Sequence, residues 1–265
     1  MFTVLILEDD TEQQKAITKI LEEHYNKWIL YTAATYKEAC NLIETKNFDL
    51  FLLDIELNTA YIDDLDCDGL DFGKYIRIFD LLQLEDYYKT DSHWKQEKLI
   101  KIAQKFGQEM KLNLNNNYEE KIITEFKGVY SGQLPINEEK DEIKILTNNV
   151  LKNCTVYNYE KNEATTIYNF DKMNSLDKYD IYLSGAVSLI SIENTENKTG
   201  RELVVFRDSF ASSFVPLLVE GYDKITLIDT RYISPKILSQ YIEFNDQDIL
   251  FLYSTSIINN SYTLK

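Results

Sequence analysis

The sequence predicts an α/β fold built on parallel β-sheet, and two stretches carry that reading. Between residues 2 and 57, apolar runs alternate with segments of helical periodicity in the order β-α-β-α-β. Between residues 202 and 254 the same alternation returns. Parallel neighbours need a crossover between them, and a helix after each strand supplies it. The apolar runs are near-continuous, as in strands covered on both faces.

Taken in order, FTVLIL (2–7) is the first strand, ending in Glu8, Asp9 and Asp10. Residues 11–25 set Ala16, Ile17, Ile20 and Leu21 at helical spacing. WILYTAA (28–34) is the second strand, and residues 35–46 are a helix with Ala39, Leu42 and Ile43 inward. FDLFLLDIEL (48–57) is a third strand, apolar until Asp54. A long acidic loop follows, then a predicted helix in LDFGKYIRIFDLL (70–82). Residues 95–110 are predicted helical, and a polar Asn-rich stretch (113–117) comes next. TVYNYE and ATTIYNF predict a hairpin, and residues 179–194 predict strand and loop. ELVVF (202–206), KITLID (224–229) and DILFLYS (248–254) are strands. Residues 207–222 are a turn and helix between the first two, and 234–242 a helix between the last two.

Composition narrows the function classes. Of 265 residues, 44% are hydrophobic, which suffices for a core. With 44 acids against 28 bases the chain carries −16 at pH 7, which disfavours a nucleic-acid-wrapping face, so no nucleic-acid partner is expected. Eight Gly and three Pro argue against a Gly-rich nucleotide cradle and long Pro/Gly linkers. Cys40, Cys67 and Cys154 are odd in number and form no Cys-x-x-Cys pair, so neither a zinc site nor a disulfide framework is expected. That fits a reducing compartment. The opening MFTVLILEDD has no basic n-region, and no apolar stretch has the length of a bilayer span. A cytoplasmic protein without a membrane span is the expectation.

The first candidate site is a set of carboxylates. Glu8 and Asp9 end one predicted parallel strand and Asp54 ends another. In open α/β sheets ligands sit at the carboxyl ends of strands. Three carboxylates converging there would bind a hard cation such as Mg²⁺, with Asp54 as nucleophile for a phosphoryl group. The other reading is a plain strand-end acidic loop. VLILEDD, FDLFLLDIEL and DGLDFGKYIR together resemble the first half of a response-regulator receiver domain, nearest the accessory-gene-regulator type, over residues 1–78. That resemblance implies phosphorylation of Asp54 in a phosphorelay, Mg²⁺ held by Glu8, Asp9 and Asp54, and a histidine kinase as partner. Receivers continue with a strand ending in Ser or Thr and another ending in Lys, and the sequence supplies neither. The acidic loop also opens like a calcium loop, with Asp64, Asp66, Asp68 and Gly69, but Tyr75 stands where the bidentate Glu belongs, so a solvated loop is the better reading.

The second candidate site is a Ser-His-Asp set. Ser209 falls at a predicted strand-to-helix junction, which exposes a hydroxyl beside free backbone N–H groups. Of the two histidines, His24 lies at the end of a predicted helix beside Glu22 and Glu23. His93 lies two residues after Asp91 and suits a general base oriented by that carboxylate. Ser at such a junction serves equally as a helix cap, and His93 beside Trp94 as a packed structural residue.

Five motifs in order bear on this choice: YYKTDSHW, FKGVYSGQ, YDIYLSGAVSLISIEN, LVVFRDSFASSFVPLL and ILFLYSTSIINNS. They resemble the DHHW family, which is similar to the SGNH-hydrolase-like domains of alginate O-acetyltransferases, over residues of about 76–265. The resemblance implies a three-layer flavodoxin-like or SGNH-like architecture. It maps an Asp-x-His-Trp motif onto Asp91, His93 and Trp94, and a Lys/Arg-Asp-Ser motif onto Arg207, Asp208 and Ser209. It implies a catalytic triad of Ser209, His93 and Asp91, with Gly185 and Phe210 as oxyanion donors, acting on a carbohydrate or other small acyl ester without a cofactor.

DHHW proteins carry further strand and helix before the Asp-x-His-Trp motif and are usually exported, which this sequence does not match. Both resemblances therefore lose their expected continuation at a seam near residues 74–80. The expectation is a fusion of a truncated receiver-like segment (1–78) to a DHHW/SGNH-hydrolase-like domain (79–265). Three readings stand: a serine acyl-esterase or O-acetyltransferase, a phosphorelay protein, and a rearranged chain with neither activity.

Overall fold

The computed structural model describes residues 2–8, 10–24, 27–46, 50–53, 76–115, 117–132, 140–175, 177–196, 198–260 and 263–264. Asp9, Asp54 and the acidic loop with Asp64, Asp66, Asp68, Gly69 and Tyr75 lie outside them. The chain divides into two compact units, Met1–Tyr75 and Ile76–Lys265. Among the described residues no helix is long and apolar enough to cross a membrane.

In the first unit, β1 (Phe2–Leu7) lies between β2 (Trp28–Ala33) and β3 (Leu50–Leu53), in parallel with both. Val4, Leu5, Ile6 and Leu7 are all buried, as expected of a central strand covered on both faces. Leu5 and Leu7 pack with Ala33 and with Ala39 of the second helix. Helix α1 (Thr11–His24) begins where the Asp10 carboxylate accepts the Glu12 and Gln13 N–H groups at 2.9 Å each. Helix α2 (Tyr36–Thr45) begins where Thr35 Oγ1 accepts the Glu38 N–H at 3.2 Å. There the Glu38 carboxylate reaches back to the Ala34 N–H at 2.8 Å.

The second unit is built on a six-stranded sheet of order β11-β9-β10-β8-β6-β7. Its strands are β6 (Thr155–Asn158), β7 (Glu163–Thr165), β8 (Leu189–Glu193), β9 (Glu202–Arg207), β10 (Lys224–Ile228) and β11 (Asp248–Leu252). The three strands read from the C-terminal repeat are parallel to one another. The expected parallel pairing stops there, because β8 runs antiparallel to β10 and to β6, while β7 pairs antiparallel with β6 as the predicted hairpin requires. The sheet is mixed for a connectivity reason. The β6–β7 turn and the β8–β9 link (194–201) are too short to hold a crossover helix.

A separate hairpin pairs β4 (Glu119–Phe126) with β5 (Asp141–Thr147), a pair that the sequence reading did not contain. Helix α3 (Ile100–Glu109) puts Ile102, Ala103 and Phe106 into the main core, and the short α4 (Asn149–Asn153) follows β5.

Three expected helices differ from the reading. After β9 the α-helical part, α5 (Phe210–Phe214), gives way to a 3₁₀ segment, Val215–Gly221. Pro216 explains the change, since it has no N–H to give the carbonyl four residues back. The segment expected as a helix over 234–242 is a 3₁₀ turn, Pro235–Gln240, and the chain closes with α6 (Thr255–Asn259). The described part of the helix expected over 70–82 holds only a 3₁₀ turn, Phe79–Leu81. Its apolar spacing serves a different end, because Ile76, Ile78, Leu81 and Leu82 pack against the second unit's core.

Candidate active site

Asp91 and His93 sit in a loop that its own backbone closes. Tyr87 and Trp94 form an antiparallel bridge, the Tyr88 N–H donates to the His93 carbonyl at 3.0 Å, and the Lys95 N–H to the Asp86 carbonyl at 2.8 Å. Inside this loop the two-residue spacing is used as an Asx turn. Asp91 Oδ1 accepts the His93 N–H at 3.0 Å and meets His93 Nδ1 at 2.5 Å. Both residues are buried.

The loop is anchored from the β4–β5 hairpin. Asp141, the first residue of β5, accepts the Lys89 N–H at 3.1 Å and both the N–H and the hydroxyl of Thr90 at 2.7 Å. Thr90 Oγ1 in turn accepts the Gly128 N–H at 3.0 Å. Asp91 Oδ2 accepts the Val129 N–H at 3.1 Å. Gly128 is a glycine for a steric reason. A Cβ there would stand 2.3 Å from Asp91 Cβ and 2.5 Å from both Asp91 Oδ2 and the Thr90 carbonyl.

Burial pushes the Asp91 carboxyl upward, but the His93 ring and the two N–H donors outweigh it, and the group lies below its usual range. An ionised Asp91 has only acceptors, so His93 Nδ1 carries the proton of that bond. The lone pair of the neutral ring then sits on Nε2, which lies 2.8 Å from Ser209 Oγ.

One residue, Asp208, separates Ser209 from the end of β9, and Ser209 holds the position before α5, with φ −64° and ψ −23°. The turn around it is fixed by Asp208, whose carboxylate accepts the Phe210 N–H at 2.9 Å and the Ser254 N–H at 2.7 Å. The fully buried Arg207 donates to Ser212 Oγ at 2.9 Å and to the carbonyls of Val187 and Gly185 at 3.2 and 3.4 Å. It thereby ties the end of β9 to the loop in which Leu183, Ser184 and Gly185 have φ of 53°, 65° and 80°. At Gly185 a Cβ would lie 2.0 Å from Asp180 Oδ1.

The structure brings Ser209, His93 and Asp91 within direct hydrogen-bond reach. The two N–H groups expected to face an oxyanion already have acceptors. The left-handed turn folds the Gly185 N–H onto the Tyr182 carbonyl at 3.1 Å, and Asp208 takes that of Phe210. The Ser209 N–H has no acceptor among the described residues. Glu8 lies buried at the end of β1, where its carboxylate accepts the Asp10 N–H at 3.0 Å, while its expected companions Asp9 and Asp54 are not described.

Sequence reasoning passed over four contributors: Thr90, Gly128, Asp141 and Tyr179. Thr90, Gly128 and Tyr179 lie within the quoted motifs, and their motif positions were the available signal. Nothing in the local sequence marks Asp141.

No protein-family description matches the sequence, and no curated protein matches it. Solved structures do match. A DHHW family protein from Eubacterium siraeum is 18% identical, with a TM-score of 0.50 over 97% of this chain and 78% of its own. Two structures of Bacillus cereus PatB1, one with a sulfonyl adduct, are 17% and 19% identical. Their TM-scores are 0.47 and 0.46, covering 97% of this chain and 82% and 83% of theirs. At 18% identity the likeness to the DHHW family structure is one of fold.

Proposed function

We propose that the Ile76–Lys265 unit is a serine-dependent acyl-ester hydrolase or O-acetyltransferase that acts on a carbohydrate ester. The observation that carries this reading is the 2.8 Å contact between Ser209 Oγ and His93 Nε2, with Asp91 on the opposite ring nitrogen at 2.5 Å. A serine hydroxyl is a poor nucleophile until a base accepts its proton. His93 Nε2 takes that proton as Oγ bonds to the ester carbonyl carbon. Asp91 holds the ring in the required tautomer and offsets the charge that develops on it. The negative charge moving onto the carbonyl oxygen meets the Ser209 N–H, which has no acceptor among the described residues. Collapse breaks the ester C–O bond, the leaving alcohol takes the proton from Nε2, and the acyl group stays on Ser209. Water then yields hydrolysis, and a second sugar hydroxyl yields transfer.

The test is labelling with a fluorophosphonate probe and turnover of p-nitrophenyl acetate. Wild type should label, and Ser209→Ala should not. Ser209→Ala and His93→Ala should each lower turnover by about 10⁴-fold or more. Full turnover in folded Ser209→Ala would remove the assignment.

A second reading concerns the first unit alone. Leu7 and Leu53 are register partners on parallel strands, and Glu8 and Asp54 are the residues that follow them in sequence. This favours Asp54 as a phosphoacceptor, with the carboxylates of Glu8, Asp9 and Asp54 as the oxygen ligands that would hold Mg²⁺ and a histidine kinase as donor. Acetyl phosphate with Mg²⁺ tests it: absence of an Asp54-dependent mass increase rules it out.

A further inference from the structure

Arg207 is fully buried, and among the described residues no carboxylate lies within ion-pair distance of it. Its Nη groups meet neutral acceptors only: Ser212 Oγ at 2.9 Å, the Val187 and Gly185 carbonyls at 3.2 and 3.4 Å, and the Asp208 carbonyl at 3.5 Å. Its Nε has no partner. Burial pulls the guanidinium below its ordinary range, yet an arginine stays protonated inside a protein. The neighbouring buried carboxylates are engaged elsewhere. Asp229 holds Arg231 through both its oxygens, at 2.9 and 2.6 Å, and Asp208 accepts the Phe210 and Ser254 N–H groups. Carbonyls alone do not compensate a cation for lost water, and an apolar side chain of the same volume would suit the fold better.

The cation stands behind the nucleophile. The Asp208 carbonyl beside Nη1 belongs to the peptide whose other end is the Ser209 N–H. The Ala211 N–H donates to the same carbonyl at 3.3 Å. In a trans peptide the C=O and N–H point in opposite directions, so positive charge at this oxygen lies at the negative end of the dipole. It draws electron density away from the N–H and makes that group a stronger donor. The Ser209 N–H needs such help, because the Gly185 and Phe210 N–H groups already have acceptors. Asp208 adds a buried negative charge one residue from the nucleophile, which opposes a second one on the reacting oxygen, and Arg207 offsets it.

We infer that Arg207 is a positioning residue whose charge, carried through the 208–209 peptide, stabilises the oxyanion that forms at Ser209. The inference rests on the acyl-transfer reading and adds to it a source of stabilisation that touches neither substrate nor nucleophile. No bond changes at Arg207 itself. From Nη1, across the peptide, to an oxygen bonded to the Ser209 N–H is at most about 9 Å. At that distance and an effective dielectric of about 20, one unit charge changes a rate by about 20-fold.

The experiment compares wild type, Arg207→Met and Arg207→Lys, each checked for its fold by circular dichroism. Arg207→Met removes the charge, and Arg207→Lys keeps it but loses the planar fork. Two quantities are read: steady-state turnover of p-nitrophenyl acetate, and inhibition by methylboronic acid, which adds to Ser209 Oγ as a tetrahedral anion. Arg207→Met should lower kcat by about 20-fold with KM little changed, and should weaken boronate inhibition by a similar factor. Arg207→Lys should lose no more than about threefold in either.

Equal losses in the two variants would make Arg207 a structural tie and overturn the inference. So would an Arg207→Met that keeps wild-type kcat and boronate affinity, or one that changes KM alone. If Arg207→Met does not fold, Arg207→Lys decides: a small loss supports the role of charge, and a loss of about 20-fold or more in the folded variant overturns it. Wild type that neither turns over nor labels with fluorophosphonate removes the acyl-transfer reading and this inference with it. Labelling and turnover that do not depend on the charge at 207 remove this inference alone.

Discussion

Tyr179 lies flat against the imidazole of His93, with ring centroids 3.9 Å apart and planes 13° from parallel. Its hydroxyl lies 2.8 Å from Ser213 Oγ and 3.3 Å from the Ser209 carbonyl, with one proton to share between them. One side chain therefore sets the plane of the base and also braces the helix start that carries the nucleophile. Burial pushes the Tyr179 phenol far above its ordinary range, so it stays a neutral donor. Tyr179→Leu should lower kcat for p-nitrophenyl acetate by roughly tenfold, the scale of one lost ring stack, with KM little changed. Tyr179→Phe keeps the stack and should lose less. Steady-state kinetics on the two variants separates ring from hydroxyl.

Gly128→Ala should damage the site without touching a triad member. The new Cβ would overlap Asp91 and the Thr90 carbonyl, both fixed by hydrogen bonds, so neither can yield cheaply. A displacement of Asp91 on the order of 1 Å costs about 10²-fold in rate. Fluorophosphonate labelling should slow by a similar factor while the circular dichroism spectrum stays that of the wild type.

Acid should destabilise the second unit through Asp86 as well as Asp91. Asp86 is buried, which alone would raise its carboxyl, but Lys101 Nζ at 2.6 Å and the Gln83 N–H at 2.7 Å pull it below its usual value. A carboxyl lower in the folded than in the unfolded state contributes stability that is full above the unfolded value. That stability disappears as pH falls through the folded one. Urea midpoints should therefore lose this contribution below about pH 4, the unfolded carboxyl range. Lys101→Met should make that decline shallower, since it removes the main cause of the depression. Urea titrations over a pH series check both.

Cys154 should be inert toward thiol reagents in the folded protein. Burial, with the nearby Glu196 and Glu220 charges, pushes its thiol up to about 12, and its Sγ donates to the Val150 carbonyl at 3.1 Å. The thiolate is the reactive species, and almost none exists at neutral pH. Iodoacetamide followed by peptide mass mapping should leave Cys154 unmodified until urea is added.

The sequence was most informative where the physics is local. Residues 2–46 alternate apolar runs with capped helices, and their observed bounds lie within a residue or two of those expected. Asp91 and His93 are two residues apart, and that spacing is itself the Asx turn that joins them. Ser209 declared itself by following an apolar strand. What stayed hidden depends on distant partners. Asp141 acts on Thr90 from 51 residues away, and Val129 on Asp91 from 38. The β6–β7 hairpin was legible from two runs around a short turn, but the antiparallel direction of β8 was not, because apolar content reports burial and not polarity of pairing. Residues 76–82 misled for the same reason, since their spaced apolar side chains face a core without forming an α-helix.

The nucleophile and its base are 116 residues apart in the chain. Closing a loop of that length carries an entropic penalty that no local turn can meet by itself, and contacts of such long range form late in folding. The Asp91–His93 loop can close early, and the strand-to-helix turn at Ser209 can form by itself, yet neither fragment has a nucleophile beside a base. Reactivity at Ser209 would then appear only after the long-range packing is complete. A covalent probe for that serine becomes a clock for the last stage of refolding, running behind the circular dichroism signal that reports the helices and strands.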